Sequence, residues 1–134
     1  MLNIFLVDDD PIINEFVEFA LAGIDHKIQT ARDGAEGLQI TNAMTAHGDQ
    51  PYPDVVLLDL NMPKVDGPHF LREFRKHPGC AHTPVIIVSG SNSAHDHRRL
   101  EGLEISGFFP KPLCIDDYRP LGSIILALVQ RHVP

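Results

Sequence analysis

Cysteine is scarce in this 134-residue chain, and basic residues are outnumbered: two cysteines, 11 lysines and arginines, and 18 aspartates and glutamates give a formal charge of −7. Cys80 and Cys114 form no CxxC pair, so neither a disulfide framework nor a zinc site is indicated, and both are read as free thiols in a reducing compartment. The negative balance works against binding a nucleic acid backbone. No long hydrophobic run exists either. The amino-terminal stretch Leu2 to Val7 is cut off by three aspartates, too soon for a signal peptide or a spanning helix, so a cytoplasmic protein without membrane contact is expected. Internal repeats, low-complexity tracts and linkers are also missing, and the length fits one domain over 1–134.

What is present is an alternation. Short apolar runs at Asn3 to Val7, His26 to Ala31, Val55 to Leu58, Val85 to Val88 and Gly107 to Phe109 read as strands. Helical periodicity separates them. Pro11 to Leu21 carries Ile12, Ile13, Phe16, Val17 and Ala20 on one stripe, with Asp10 as the N-cap and Pro11 in the first helical position. The second helix begins at a capping box, Asp33 to Glu36, and runs to about Ala46, followed by a polar, proline-rich loop from His47 to Pro53. A third spans Pro68 to His77. The fourth, Ala94 to Ile105, is apolar only at Leu100, Leu103 and Ile105, which implies loose docking. The last runs from Asp117 to Arg131; with Asp117 as N-cap, Pro120 falls in the first turn, where its missing N–H is harmless. Only His132-Val133-Pro134 follows, so no output domain is expected. Strands joined by such helices give an α/β fold, a parallel sheet with helices on both faces.

The chemistry sits at the strand ends. Asp8, Asp9 and Asp10 follow the first strand, Asp59 the third and Lys111 the fifth. Ligands of open α/β sheets bind at the carboxyl edge. Carboxylates gathered there repel one another, and unless protons or a cation such as Mg²⁺ neutralise them the cluster is unfavourable. The pattern therefore asks for a metal.

Val7-Asp8-Asp9, Leu58-Asp59-Leu60-Asn61-Met62-Pro63 with Asp66-Gly67, Val88-Ser89-Gly90 and Lys111-Pro112 occur in order across essentially the whole chain. Together they resemble the receiver domains of two-component response regulators. The resemblance implies a doubly wound (βα)5 flavodoxin-like fold with a five-stranded parallel sheet in the order 2-1-3-4-5. It also implies that Asp59 is the phosphoacceptor, that Asp9 binds Mg²⁺ (or Mn²⁺) directly with Asp8 acting mainly through water, and that Asn61 offers its backbone carbonyl. Lys111 would pair with the phosphoryl group, Ser89 would donate a hydrogen bond to it, and Phe108 would be the switch aromatic. A cis Lys111–Pro112 bond and a partner face from about Ala94 to Arg131 are implied too. The function so read is a stand-alone regulator, not an enzyme. It would receive its phosphoryl group from a sensor histidine kinase or a histidine phosphotransfer protein and answer to an unknown protein target, as a monomer or a phosphorylation-dependent dimer. Asn61 and Ser91 would tune the lifetime of the acyl phosphate.

Blander readings stand beside these. Ser89 could be a strand-end turn residue, Lys111 a solvated lysine, and Phe108, like Phe109, a core side chain. The Val55 to Asp59 run also fits a Walker B strand, but no GxxxxGK[ST] accompanies it. His95 and His97, two residues apart on a helix, point to different sides and cannot readily share an ion; with Arg98 and Arg99 they suit an acidic partner or plain surface. Two other functions compete. A haloacid-dehalogenase-like phosphatase also uses an aspartyl phosphate, but wants an acid where Asn61 stands. A receiver-like adaptor working without phosphorylation sits poorly with an intact acid set.

Overall fold

The computed structural model describes residues 1–45, 48, 50–90 and 94–132, residue 132 by its backbone alone. Five strands, β1 (Leu2–Val7), β2 (His26–Ala31), β3 (Val55–Leu58), β4 (Val85–Ser89) and β5 (Gly107–Pro110), form one sheet in the order β2-β1-β3-β4-β5. Every pairing is parallel. The central strands read as continuous apolar runs because both faces are covered. Along β1, Phe5 and Val7 point to one core with Val56, Leu58, Phe70, Phe74 and Ile87. Ile4 and Leu6 point to the other, with Ile13, Val17, Leu57, Ile86, Leu121 and Ile125.

The helices are α1 (Ile12–Ala20), α2 (Gly34–Asn42), α3 (Gly67–Arg75), α4 (Ala94–Arg99) and α5 (Arg119–His132). Helix α1 starts one residue later than expected, with Pro11 rather than Asp10 at the N-cap; Asp10 precedes it, its Oδ1 accepting from the Ile12 N–H at 3.1 Å. Ile13 and Val17 are buried in α1, whereas Ile12 is 41% exposed and lies off the stripe. Asp33 caps α2 through the Glu36 N–H at 2.8 Å, the forward half of the capping box, while the Glu36 carboxylate accepts from the Arg32 N–H at 3.2 Å. Asp117 is not the N-cap expected for the last helix: it lies inside a turn of 3-10 helix, Ile115–Tyr118, that carries the chain into α5 at Arg119, and Pro120 sits in the first turn of α5 without breaking it.

Three further expectations need correction. Helix α2 stops at Asn42 rather than near Ala46, which itself lies outside the described residues. Its last turn closes with the Ala43 N–H on Ile40 O and the Thr41 hydroxyl bonded back to Gly37 O, a competition with the helix ladder typical of threonine. Helix α4 ends at Arg99, not Ile105; Leu100 still turns into the core at 5% exposure, but Gly102 then adopts φ +78°, a left-handed conformation that reverses the chain. The described peptide bonds are all trans, Lys111–Pro112 included. An Xaa–Pro bond prefers trans by only about 0.5–1 kcal/mol, and here the Lys111 N–H reaches Ser89 O at 2.8 Å with that isomer.

Candidate functional site

The sheet's hydrogen-bond ladder runs one residue past the strand ends and sets the site's backbone. The Asp8 N–H donates to Ala31 O at 3.0 Å, the Asp59 N–H to Val7 O at 3.0 Å and the Lys111 N–H to Ser89 O at 2.8 Å. β1 and β3 are neighbours whose connections leave in opposite directions, toward β2 and toward β4, so the crevice of the topological switch lies between Asp8 and Asp59. Gly67 closes the floor. A Cβ there would stand 2.5 Å from Asp59 O and 2.8 Å from Leu60 Cα, so the first residue of α3 must be glycine for the helix to seat against the phosphoacceptor candidate's own backbone.

In this crevice Asp8, Asp9 and Asp59 bring carboxylate oxygens within 4.8 Å of one another. Asp8 and Asp59 are buried, at 6% and 5% exposure, and Asp9 is exposed. The Lys111 ammonium stands 2.9 Å from Asp8 Oδ2 and 3.5 Å from Asp59 Oδ2. The Asp10 N–H donates to Asp8 Oδ1 at 2.9 Å, and the Asn61 N–H approaches Asp59 Oδ1 at 3.4 Å. Asp8 Oδ2 has the ammonium as ion partner but no aligned hydrogen-bond donor, although it is buried.

The electrostatics follow from that crowding. Burial raises the Asp59 pKa to about 6, the neighbouring Asp8 charge adds to the rise, and Lys111 offsets only part of it. Asp8 is raised as well, again chiefly by burial. Burial alone would lower the pKa of Lys111, but its bonds and charges toward Asp8 and Asp59 outweigh burial and leave it raised. One ammonium thus underneutralises the acid group. An all-oxygen donor set and excess negative charge together fit a hard divalent cation such as Mg²⁺.

The other candidate residues surround this pocket. Ser89 ends β4 fully buried, and its carbonyl holds Lys111 in place. Phe108, one position before the register partner of Val88, is half-buried against the core that faces α3, and the exposed His97 ring stacks on it at 5.0 Å. Phe109 packs on the opposite face near Tyr118, at 5.8 Å, as a core side chain. Ser91 lies outside the described residues. Arg99, read from the sequence as part of a basic surface patch, instead turns toward the site. Its guanidinium donates to Asn61 Oδ1 at 3.0 Å and to Asp66 Oδ2 at 3.1 Å, partners 38 and 33 residues away, and no local pattern signals such a contact.

Comparison with known proteins decides the family. Residues 4–119 match the response regulator receiver domain. The chain belongs to that family. Among curated receiver proteins, Response regulator Rcp1 of Synechocystis sp. is 32% identical over 69% of the chain and 65% of its own length. The probable transcriptional regulator ycf27 of Guillardia theta is 33% identical over 83% of the chain and 42% of its own length. The chain therefore spans less than two thirds of either of these receiver proteins. Among solved receiver structures, the phosphorylated cyanobacterial phytochrome response regulator RcpA superposes with TM-score 0.83 at 27% identity, covering 99% of this chain and 96% of that one. The Mn²⁺-bound form of Rcp1 gives 0.80 at 26% identity, covering 100% and 98%. Membership places the chain in a regulatory receiver family of two-component signalling and leaves the phosphatase reading without support. Among the described residues no helix is long and apolar enough to cross a membrane.

Proposed function

We propose that this chain is a receiver that accepts a phosphoryl group on Asp59 from a sensor histidine kinase or a histidine phosphotransfer protein, in a Mg²⁺-dependent step that Mn²⁺ also supports. The observation that carries this reading is the convergence of three carboxylates within 4.8 Å beside Lys111, at the carboxyl edge of β1, β3 and β5. Two relatives lend support: the solved structure of RcpA is of its phosphorylated form, and that of Rcp1 of its Mn²⁺-bound form.

In the step proposed, an ionised Asp59 oxygen forms a bond to phosphorus as the donor's P–N bond breaks, the electron pair staying with the departing imidazole. Asp8, Asp9 and Asp59 would hold the ion with the Asn61 backbone carbonyl, and when bound it offsets charge on the phosphoryl oxygens. The Lys111 ammonium, already poised between Asp8 and Asp59, would move onto a phosphoryl oxygen as a point charge. Ser89 would donate its hydroxyl to another. The dianionic group then supplies the differential interaction that a shift in the surface of α4, β5 and α5 needs, with Phe108 as its aromatic element. The outcome is binding of a protein target or a phosphorylation-dependent dimer, not turnover of a substrate. A cytoplasmic regulator that acts on a protein rather than on DNA completes the proposal.

Intact mass after incubation with acetyl phosphate and Mg²⁺ tests it. The expected product is one added phosphoryl group, absent without the metal and absent in Asp59→Asn. An unmodified mass with every phosphodonor tried favours the phosphorylation-independent adaptor instead, and steady hydrolysis of phosphate esters would revive the phosphatase.

A further inference from the structure

Arg99 is the last residue of α4, and its side chain leaves its own helix to bracket the loop that follows Asp59. Nη1 donates to Asn61 Oδ1 at 3.0 Å, and Nη2 donates to Asp66 Oδ2 at 3.1 Å. Nη1 also lies 3.4 Å from Oδ1 of Asp96, which is buried on the same helix. Only a planar fork can reach acceptors at both ends of a six-residue segment while still bonded at home; a lysine has one point charge to offer. The bracketed segment is strained in one place, Lys64 at φ 66°, a left-handed conformation that β-carbon sterics disfavour and that persists only when its surroundings fix it. At the far end Asp66 is also the N-cap of α3, its other oxygen accepting from the His69 N–H at 2.9 Å.

Asn61 is thus held from two directions: its backbone N–H faces Asp59 Oδ1, and its side-chain oxygen is taken by Arg99. A change in the Asp59 carboxylate draws on Asn61, and a shift of Asn61 draws on the end of α4. That helix also carries His97, which stacks on Phe108. We infer that Arg99 is a positioning residue that fixes the Asn61 loop for the divalent ion and couples the acidic pocket to α4 by a route that does not pass through Ser89. The inference rests on the receiver reading above. Because such coupling is reciprocal, ion binding must alter α4 and loosening α4 must weaken ion binding.

Hydrogen exchange of the peptide covering residues 94–99, read by mass spectrometry in the full chain with and without Mg²⁺ and beryllofluoride, tests the coupling. In the wild type this peptide changes its exchange when the ligands are added. In Arg99→Gln it exchanges about fivefold faster without ligand, its response is lost, and Mg²⁺ still binds but about fivefold more weakly, at the lower end of ordinary coupling. Asn61→Ala removes only the acceptor, leaves the arginine's bonds to Asp66 and Asp96, and reproduces the lost response. Arg99→Lys does not restore it, because one ammonium cannot span both acceptors. Wild-type exchange and response in either Arg99→Gln or Asn61→Ala would overturn the coupling alone. A wild type that takes up neither ligand would overturn the receiver reading and the coupling with it.

Discussion

Asp59 owes its raised pKa first to burial, and then to charged neighbours that can be removed one at a time. Asp8 raises its pKa and Lys111 lowers it, so Asp8→Asn moves the Asp59 titration below about 6 and Lys111→Met moves it higher still; carbon-13 NMR of the side-chain carboxyl in metal-free protein reads both directions. The two thiols separate in the same way. Cys80 is fully buried, and burial pushes its pKa up to about 11, while Cys114 is exposed. Ellman's reagent is therefore expected to react promptly with Cys114 in the folded protein and with Cys80 only after denaturation. At this scale the acids and the lysine were legible in the sequence because each directly follows an apolar run that had to be a strand. Arg99 was not, since its partners are joined to it by folding alone.

Elements carry those residues to one place, and α3 does so by an unusually close approach. Gly67→Ala would press a methyl group against Asp59 O and Leu60 Cα, which are backbone atoms with little room to give. The expected cost is about 1–3 kcal/mol, measured by urea unfolding, together with weaker Mg²⁺ binding as the loop is displaced. The start of α2 at Asp33 could be read from a side chain that reaches its own neighbour, because capping is a local interaction, whereas α1 begins two residues after Asp10. Helix ends could not. Leu100 and Leu103 continue a helical spacing past Arg99, and only the left-handed turn at Gly102, stabilised by where Leu100 must pack, shows that the helix has stopped. The trans Lys111–Pro112 bond is a further case: the two isomers differ by so little that tertiary context decides.

Across the whole molecule, the continuous apolar runs announced a sheet buried on both faces, and the alternation of elements announced parallel pairing. Strand order came from family resemblance, because periodicity says nothing about which strands are neighbours. The folded state carries its site at a cost in stability. Asp59 has a folded pKa of about 6 against an ordinary 3.8, so between those values the unfolded chain ionises while the folded one keeps its proton. Stability of the metal-free protein from this group is thus greatest below the lower value, falls as pH rises through the window, and levels off above it. Mg²⁺ bound to the folded carboxylates as proposed would reverse the loss, so the gain in melting temperature with Mg²⁺ is expected to be large near pH 7.5 and small at pH 5. Calorimetric titration of Mg²⁺ into metal-free protein at pH 7.5 puts the acid pocket to the most direct test. One ion is expected to bind per chain, with binding abolished in Asp59→Asn and in Asp9→Asn. A wild type that gives no binding heat in any buffer, or variants that bind as tightly as it does, would contradict that expectation.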